Sequence, residues 1–174
     1  MCGLSLGGYV AFEFLRRWRE RVRGLILMDT RAEGDSGEGR RARDALIGRV
    51  REQGAIAAAE AMLPRFFTPQ VSPELIERVR TSILRTPVSG IVGALSAMRE
   101  RPDSTPLLET LTGIPTLVLV GAEDMITPPA IARTMATAIP GARLMEIPGA
   151  GHLPCIEQPV PTSRAILKFL QSLE

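Results

Sequence analysis

Three polar residues, far apart in the chain, could together carry out nucleophilic catalysis. Ser5 is the centre of the segment GLSLG at residues 3–7, which matches the pattern G-x-S-x-G. Such a serine sits on a tight turn from a strand into a helix, so its hydroxyl projects above the sheet. The positive end of the helix dipole then favours the negative charge that develops there during acyl transfer. The pattern also occurs in turns without a catalytic role, so further residues must support it.

Asp124 and His152 supply the acid and the base that such a serine needs. Asp124 follows an apolar run at 116–121, and His152 follows a second run at 143–148. The carboxyl ends of parallel strands are where open α/β sheets build their sites. The chain order serine, acid, histidine is typical of one hydrolase fold. We therefore predict Ser5 as nucleophile, His152 as general base and Asp124 as the acid that orients it.

Two other assignments stay open but are less favoured. Asp29 ends a further apolar run at 22–28 and is an alternative acid, although the segment around Asp124 fits that role better. Cys155 lies three residues after His152 and could be a thiol nucleophile. The two cysteines, Cys2 and Cys155, lack the CxxC spacing of zinc or redox sites, so we expect reduced, partly buried thiols.

The elements that would position these residues form an alternating pattern. Apolar runs at 22–28, 116–121 and 143–148 predict parallel strands, and three- and four-residue periodicity predicts helices at 7–19, 129–138 and 160–173. Alternation of this kind indicates a parallel sheet covered by helices on both faces.

Between the first and second of these runs the chain changes character. Residues 31–41 are charged and rich in glycine, which predicts a loop, and residues 42–101 have a helical pattern broken by prolines. Ser72 and Thr86 each precede a proline and are predicted to cap helices. A helical insertion between strands suits a lid over an active site.

Composition excludes several classes of function. The 174 residues include 21 basic and 19 acidic side chains, a near balance that argues against nucleic acid as the main partner. No run approaches the 18 apolar residues of a membrane span, and we expect a cytoplasmic protein. His152 is the only histidine, so a metal site built from several histidines is excluded.

Four stretches together resemble the α/β-hydrolase fold superfamily: CGLSLGGYVAFEF, RVRGLILMDT, PTLVLVGAEDMITPP and IPGAGHLPCIEQP. The resemblance implies a parallel sheet with flanking helices and a helical cap. The hydrolase core would comprise residues 1–30 and 112–174, and the cap residues 31–111. Within the superfamily, the chain is most similar to esterases and to enol-lactonases of the 3-oxoadipate kind.

The resemblance also implies roles and a reaction. Ser5, Asp124 and His152 would form the triad, and the N–H of Leu6 would be one oxyanion donor. The expected function is hydrolysis of a small carboxylic ester or lactone through an acyl-serine intermediate, with no metal or organic cofactor.

The chain also departs from the family pattern. Strands that precede the serine turn in the family, and the loop with a His-Gly pair that supplies a second oxyanion donor, are missing, so we expect an N-terminally truncated fold. The alternative function is therefore a catalytically impaired fragment that acts as an interaction module. Because missing strands would leave residues 22–28 as an apolar edge, we also expect a homodimer that covers it.

Overall fold

A computed structural model of the chain describes residues 1–173, which contain one parallel sheet. Its four strands lie in the order β1-β2-β3-β4, so consecutive strands are neighbours. The strands are β1 (Cys2–Leu4), β2 (Leu25–Met28), β3 (Thr116–Gly121) and β4 (Arg143–Ile147). The predicted α/β class, with a parallel sheet flanked by helices, is confirmed.

Helices cover both faces of this sheet, which explains why its central strands are uninterrupted apolar runs. One face packs against α1 (Leu6–Trp18) and α7 (Pro129–Ala138), and the other against α9 (Pro159–Gln171). Every residue of β2 and β3 is buried. A short helix, α8 (Pro154–Glu157), leads into α9.

The predicted position of the exposed sheet edge is wrong. The strand within residues 22–28 is internal, because β2 pairs with β1 on one side and with β3 on the other. Gly3 of β1 lies opposite Leu27, so the three residues before Ser5 are enough to form a paired strand. Within residues 1–173, the outer strands are β1 and β4.

The segment between β2 and β3 is helical and has an apolar cluster of its own. Buried Ile47 and Val50 pack there against Ala57, Ala58 and Leu95. Its helices are α2 (Gly37–Gln53), α3 (Ala55–Phe66), α4 (Pro73–Leu84), α5 (Val88–Glu100) and the short α6 (Thr105–Leu108). We call this segment, residues 31–111, the cap; its boundaries stay a prediction.

Helix starts in the cap agree with the sequence at one place and differ at two. The Ser72 hydroxyl accepts a hydrogen bond from the N–H of Leu75 (3.3 Å), which confirms the predicted cap. The predicted cap at Thr86 is wrong, because its hydroxyl donates to the Ser82 carbonyl in the preceding helix. The predicted loop at 31–41 is too long, since Ser36 caps α2 and the glycines that follow it are helical.

Among residues 1–173, no helix combines the length and the apolar character that crossing a lipid bilayer requires.

Candidate active site

Ser5 occupies a strained turn between β1 and α1. Its φ of 49° and ψ of −113° are unusual for a residue with a side chain. Two contacts impose this conformation: the Ser5 N–H donates to the Met28 carbonyl (2.9 Å), and the Ser5 carbonyl accepts from the Thr30 hydroxyl (2.8 Å). Strain of this kind persists only where the surroundings over-determine it, and it is common at active sites.

The glycines around Ser5 contribute unequally to this turn. A Cβ on Gly3 would lie 2.3 Å from the Gly7 carbonyl oxygen, and one on Gly8 would lie 2.3 Å from the Thr30 hydroxyl. A Cβ on Gly7 would meet nothing within 4 Å. The close packing of the turn therefore depends on Gly3 and Gly8, although Gly7 is the second glycine of the sequence pattern.

Asp124 and His152 form a buried, directly bonded pair. Nδ1 of His152 lies 2.9 Å from Oδ2 of Asp124, and the residues are only 1% and 3% exposed. An ionised carboxylate can only accept hydrogen bonds, so Nδ1 carries the proton and Nε2 is left as the base. This is the tautomer that a general base opposite a serine needs.

Asp124 is held as a carboxylate by the loop that follows it. Oδ1 accepts from the N–H groups of Ile126 (2.7 Å) and Thr127 (3.1 Å), and Oδ2 accepts from the Thr127 hydroxyl (2.6 Å). Burial alone would raise the pKa of Asp124, but the hydrogen bonds from His152 and Thr127 outweigh it and lower the pKa to about 2. Asp124 is therefore charged at neutral pH.

Close backbone contact brings the histidine loop against the loop of Asp124. A Cβ on Gly121 would lie 1.9 Å from the Gly151 carbonyl oxygen, so only glycine fits there. The N–H of Glu123 donates to the Ala150 carbonyl (2.9 Å) across the same contact.

The end of α3 in the cap also holds His152. The His152 N–H donates to the Phe66 carbonyl (2.8 Å), and the two rings stack with centroids 5.7 Å apart and planes 6° apart. Glu157 connects the histidine loop to the cap. Its carboxylate accepts hydrogen bonds from the N–H of Gly151 in that loop and from the N–H of Thr68 after α3, each at 2.8 Å. Sequence reasoning missed Phe66, which lies in none of the four stretches, and gave no role to Glu157, which lies in the stretch IPGAGHLPCIEQP.

Ser5 lies at the same edge of the sheet as this pair, at the carboxyl end of the neighbouring strands. Asp29 directly follows β2, the strand between β1 and β3, and continuing the register places it opposite Ser5. The nearest polar side-chain atoms of Asp29, Asp124 and His152 all lie within 4.8 Å of one another. No hydrogen bond joins the Ser5 hydroxyl to His152 within residues 1–173. In unliganded sites such bonds are often long, and they tighten when substrate binds.

Leu6, the predicted oxyanion donor, is the first residue of α1. The first N–H groups of a helix have no acceptor within the helix, so this donor is available to an anion.

Two cavities flank the start of α1. One of about 330 Å³ is bordered by Leu6 and Ala32, and one of about 510 Å³ lies between the cap and the loops after β2 and β3. Arg101 borders both, with its guanidinium 4.2 Å from the centre of the Tyr9 ring. Five arginines and one acid, Asp35, line the larger cavity; the arginines are Arg31, Arg43, Arg49, Arg65 and Arg101.

The cysteines are free, and both residues reach the surface while their thiols are half-buried, which agrees with the expectation of reduced, partly buried thiols. Partial burial of the sulfur raises the pKa of Cys155 above its ordinary value, and the neighbouring Asp29 raises it further. A raised thiol pKa disfavours the reactive thiolate, so the geometry gives no support to Cys155 as a nucleophile.

A family model described as the alpha/beta hydrolase family matches residues 1–165. A 3-oxoadipate enol-lactonase of Acinetobacter baylyi is 30% identical over 168 residues, covering 95% of this chain. This chain spans 61% of the length of that relative.

Solved structures give the same family. A thermophilic esterase from Thermogutta terrifontis, solved with malate bound, is 47% identical with a TM-score of 0.95. An enol-lactonase from Burkholderia xenovorans is 30% identical with a TM-score of 0.87. The matches cover 99% and 98% of this chain and 64% of each solved chain.

Proposed function

Since the chain belongs to the alpha/beta hydrolase family, we propose that it is a serine hydrolase that cleaves small carboxylic esters or lactones through an acyl-serine intermediate. The observation that carries the proposal is the buried His152–Asp124 pair, with the imidazole proton on Nδ1 and the other nitrogen free. The strained turn that holds Ser5 at the same edge of the sheet supports the same chemistry.

The proposed reaction uses three side chains and one backbone group. Nε2 of His152 takes the hydroxyl proton while Oγ of Ser5 attacks the substrate carbonyl, and Asp124 stabilises the imidazolium that forms. The N–H of Leu6 donates to the oxyanion. His152 then gives the proton to the leaving oxygen, and a water molecule, deprotonated by His152, hydrolyses the acyl-serine.

The larger cavity, which reaches the loop after β3 at Ile126 and Thr127, supports a particular kind of substrate. Arginine outnumbers acid on its walls, and a guanidinium binds a carboxylate in a fixed two-pronged geometry. The relative named a 3-oxoadipate enol-lactonase acts, by its name, on a lactone that bears a carboxylate. We propose that this chain also prefers esters or lactones with a carboxylate remote from the reacting carbonyl.

The second candidate is a catalytically impaired member of the family that acts as a folded interaction module. It is favoured by the absence, among residues 1–173, of a hydrogen bond between the Ser5 hydroxyl and His152, whose side chain bonds to Asp124. A homodimer and a cytoplasmic location also stay proposals.

Substitution of the nucleophile tests the choice between these candidates. We expect the wild-type chain to hydrolyse short-chain p-nitrophenyl esters and to be labelled by a fluorophosphonate probe. Ser5→Ala should abolish labelling and lower turnover by about a thousandfold or more, because no acyl-serine can form.

Ser89→Ala is the matched control, because Ser89 is exposed on α5, away from the sheet edge. It should keep both labelling and turnover. Turnover that survives Ser5→Ala would remove Ser5 as the nucleophile. A folded wild-type chain that neither reacts with the probe nor turns over ester would favour the interaction module.

A further inference from the structure

Asp29 is a second buried carboxyl group beside the His152–Asp124 pair, and the reaction proposed above gives it no role. It is 1% exposed, and it has a φ of 46°, a left-handed conformation that is uncommon for a residue with a side chain. Its N–H donates to the Leu119 carbonyl (2.9 Å), which continues the pairing of β2 with β3 past the end of β2. The position of Asp29 is thus fixed by the sheet itself.

The two oxygens of Asp29 have different surroundings. Oδ1 accepts from the N–H of Gly121 (2.8 Å), whereas Oδ2 is buried with no hydrogen-bond donor within residues 1–173. No arginine or lysine in that range forms an ion pair with Asp29. A buried carboxylate oxygen without a donor is strongly disfavoured, and a protonated oxygen that donates to an acceptor is not.

The groups that face Asp29 are mostly acids. Asp124 faces it from the loop after β3, His152 from the loop after β4, and Glu157 and Cys155 from α8. An oxygen of Asp124 lies within 4.8 Å of an oxygen of Asp29, and Asp124 is ionised. Two ionised carboxylates this close would repel each other. A single proton shared between them removes the repulsion, because the protonated group can donate a hydrogen bond to the ionised one.

We propose that Asp29 is a positioning residue, a neutral carboxylic acid whose O–H donates to the Asp124 carboxylate and so keeps that carboxylate directed at His152. The inference rests on the proposed role of the His152–Asp124 pair, but its test needs no turnover. Burial raises the pKa of Asp29 to about 9; the Gly121 N–H opposes this shift, and Asp124 adds to it. Asp29 therefore stays protonated at neutral pH.

Asp29→Asn is the substitution that separates this role from a charged one. An asparagine has the shape of the protonated acid: its carbonyl can accept from Gly121 and its amide can donate to Asp124. We expect Asp29→Asn to keep the nuclear magnetic resonance spectrum that the wild-type protein has at neutral pH. Asp29→Ala leaves Asp124 without this donor, so it should perturb the signals of His152.

Nuclear magnetic resonance can read the titration at two reporters that contact the site. The Gly121 amide donates directly to Asp29, and the ring of His152, the single histidine, gives an unambiguous signal. In the wild-type chain, both should shift with a midpoint near pH 9, set by Asp29. In Asp29→Asn this step should be absent. Because the Cys155 thiol interacts with Asp29 and its own pKa is raised, the comparison belongs in a Cys155→Ser background.

Asp44→Asn, which removes one negative charge from the exposed face of α2, should leave the step in place. A Gly121 midpoint below pH 6, or a step near pH 9 that persists in Asp29→Asn, would overturn the proposal. If Asp29→Asn does not fold, the midpoint of the wild-type titration alone decides between the two outcomes. Failure of esterase activity would count against Ser5 as nucleophile and would not alter this titration, so the two proposals fail separately.

Discussion

At the scale of single residues, the turn around Ser5 distinguishes glycines that the backbone requires from one that it does not. Gly3 and Gly7 flank Ser5 in the sequence pattern and look equivalent there. In the structure, a Cβ at Gly3 would press on the backbone of α1, and a Cβ at Gly7 would meet open space. The two glycines therefore make opposite contributions to stability.

We predict that Gly3→Ala and Gly7→Ala change stability in opposite directions. Gly3→Ala should lower the free energy of unfolding by about 2–3 kcal/mol, because its Cβ would overlap a backbone carbonyl. Gly7→Ala should raise it by up to about 1 kcal/mol, since alanine is the better residue within a helix. Chemical denaturation of the two variants beside the wild type measures both, and equal losses would contradict the comparison.

The sequence indicated Ser5, Asp124 and His152 because each has a local pattern around it. It named Asp29 only as an alternative acid and could not reveal its burial, which depends on the packing of three loops against one another. Nor could it distinguish Gly3 from Gly7, because the difference is in what a side chain would meet across the turn.

At the scale of elements, the cap and the histidine loop form one connected unit. The end of α3 supplies a carbonyl and a stacked ring to His152, and the carboxylate of Glu157 bonds both segments. The end of α3 therefore helps to set the position of His152.

We predict that Glu157→Ala loosens this connection. Loss of two hydrogen bonds to a charged acceptor should lower the free energy of unfolding by about 2 kcal/mol. Amide hydrogen exchange at Gly151 and Thr68, whose N–H groups would lose their acceptor, should accelerate at least tenfold. Glu109→Ala, at an exposed position, is the control and should leave both exchange rates unchanged. Unchanged exchange in Glu157→Ala would show that the two segments are held by other contacts.

Strands and helices were predictable to different degrees. The helix at Pro129–Ala138 and the strand at Thr116–Gly121 match the prediction, because each is a strong apolar pattern bounded by turn residues. The start of α2 was not predicted, because Gly37 and Gly39 favour a loop locally. Capping by Ser36 and packing of the apolar face of α2 against α5 outweigh that preference.

At the scale of the whole molecule, the outer strand β1 is the feature that bears on assembly. Within residues 1–173 it pairs on one side only, and large apolar side chains near it on the chain are exposed at Met1, Val10 and Trp18. The free backbone groups of an outer strand can pair with a second chain.

We predict that the chain is a dimer at micromolar concentration and that a charge on β1 separates it. Cys2 is exposed on that strand, so Cys2→Lys should shift the mass measured by light scattering from two chains to one. Met145→Lys places the same charge on the opposite outer strand, β4, and should leave the dimer intact. A monomeric wild-type chain would contradict this prediction. If Met145→Lys but not Cys2→Lys separates the dimer, the interface is at β4.

The contact between Gly121 and Gly151 has a consequence for redesign. The loop after β3 and the loop of His152 meet where Gly121 has no side chain, and no rotamer or nearby repacking can make room for a Cβ 1.9 Å from a carbonyl oxygen. A mutational scan should therefore find Gly121 as intolerant as the proposed catalytic residues, although the proposed reaction gives it no chemical step. Libraries that test the proposed substrate preference should vary the walls of the arginine-lined cavity and leave Gly121 unchanged.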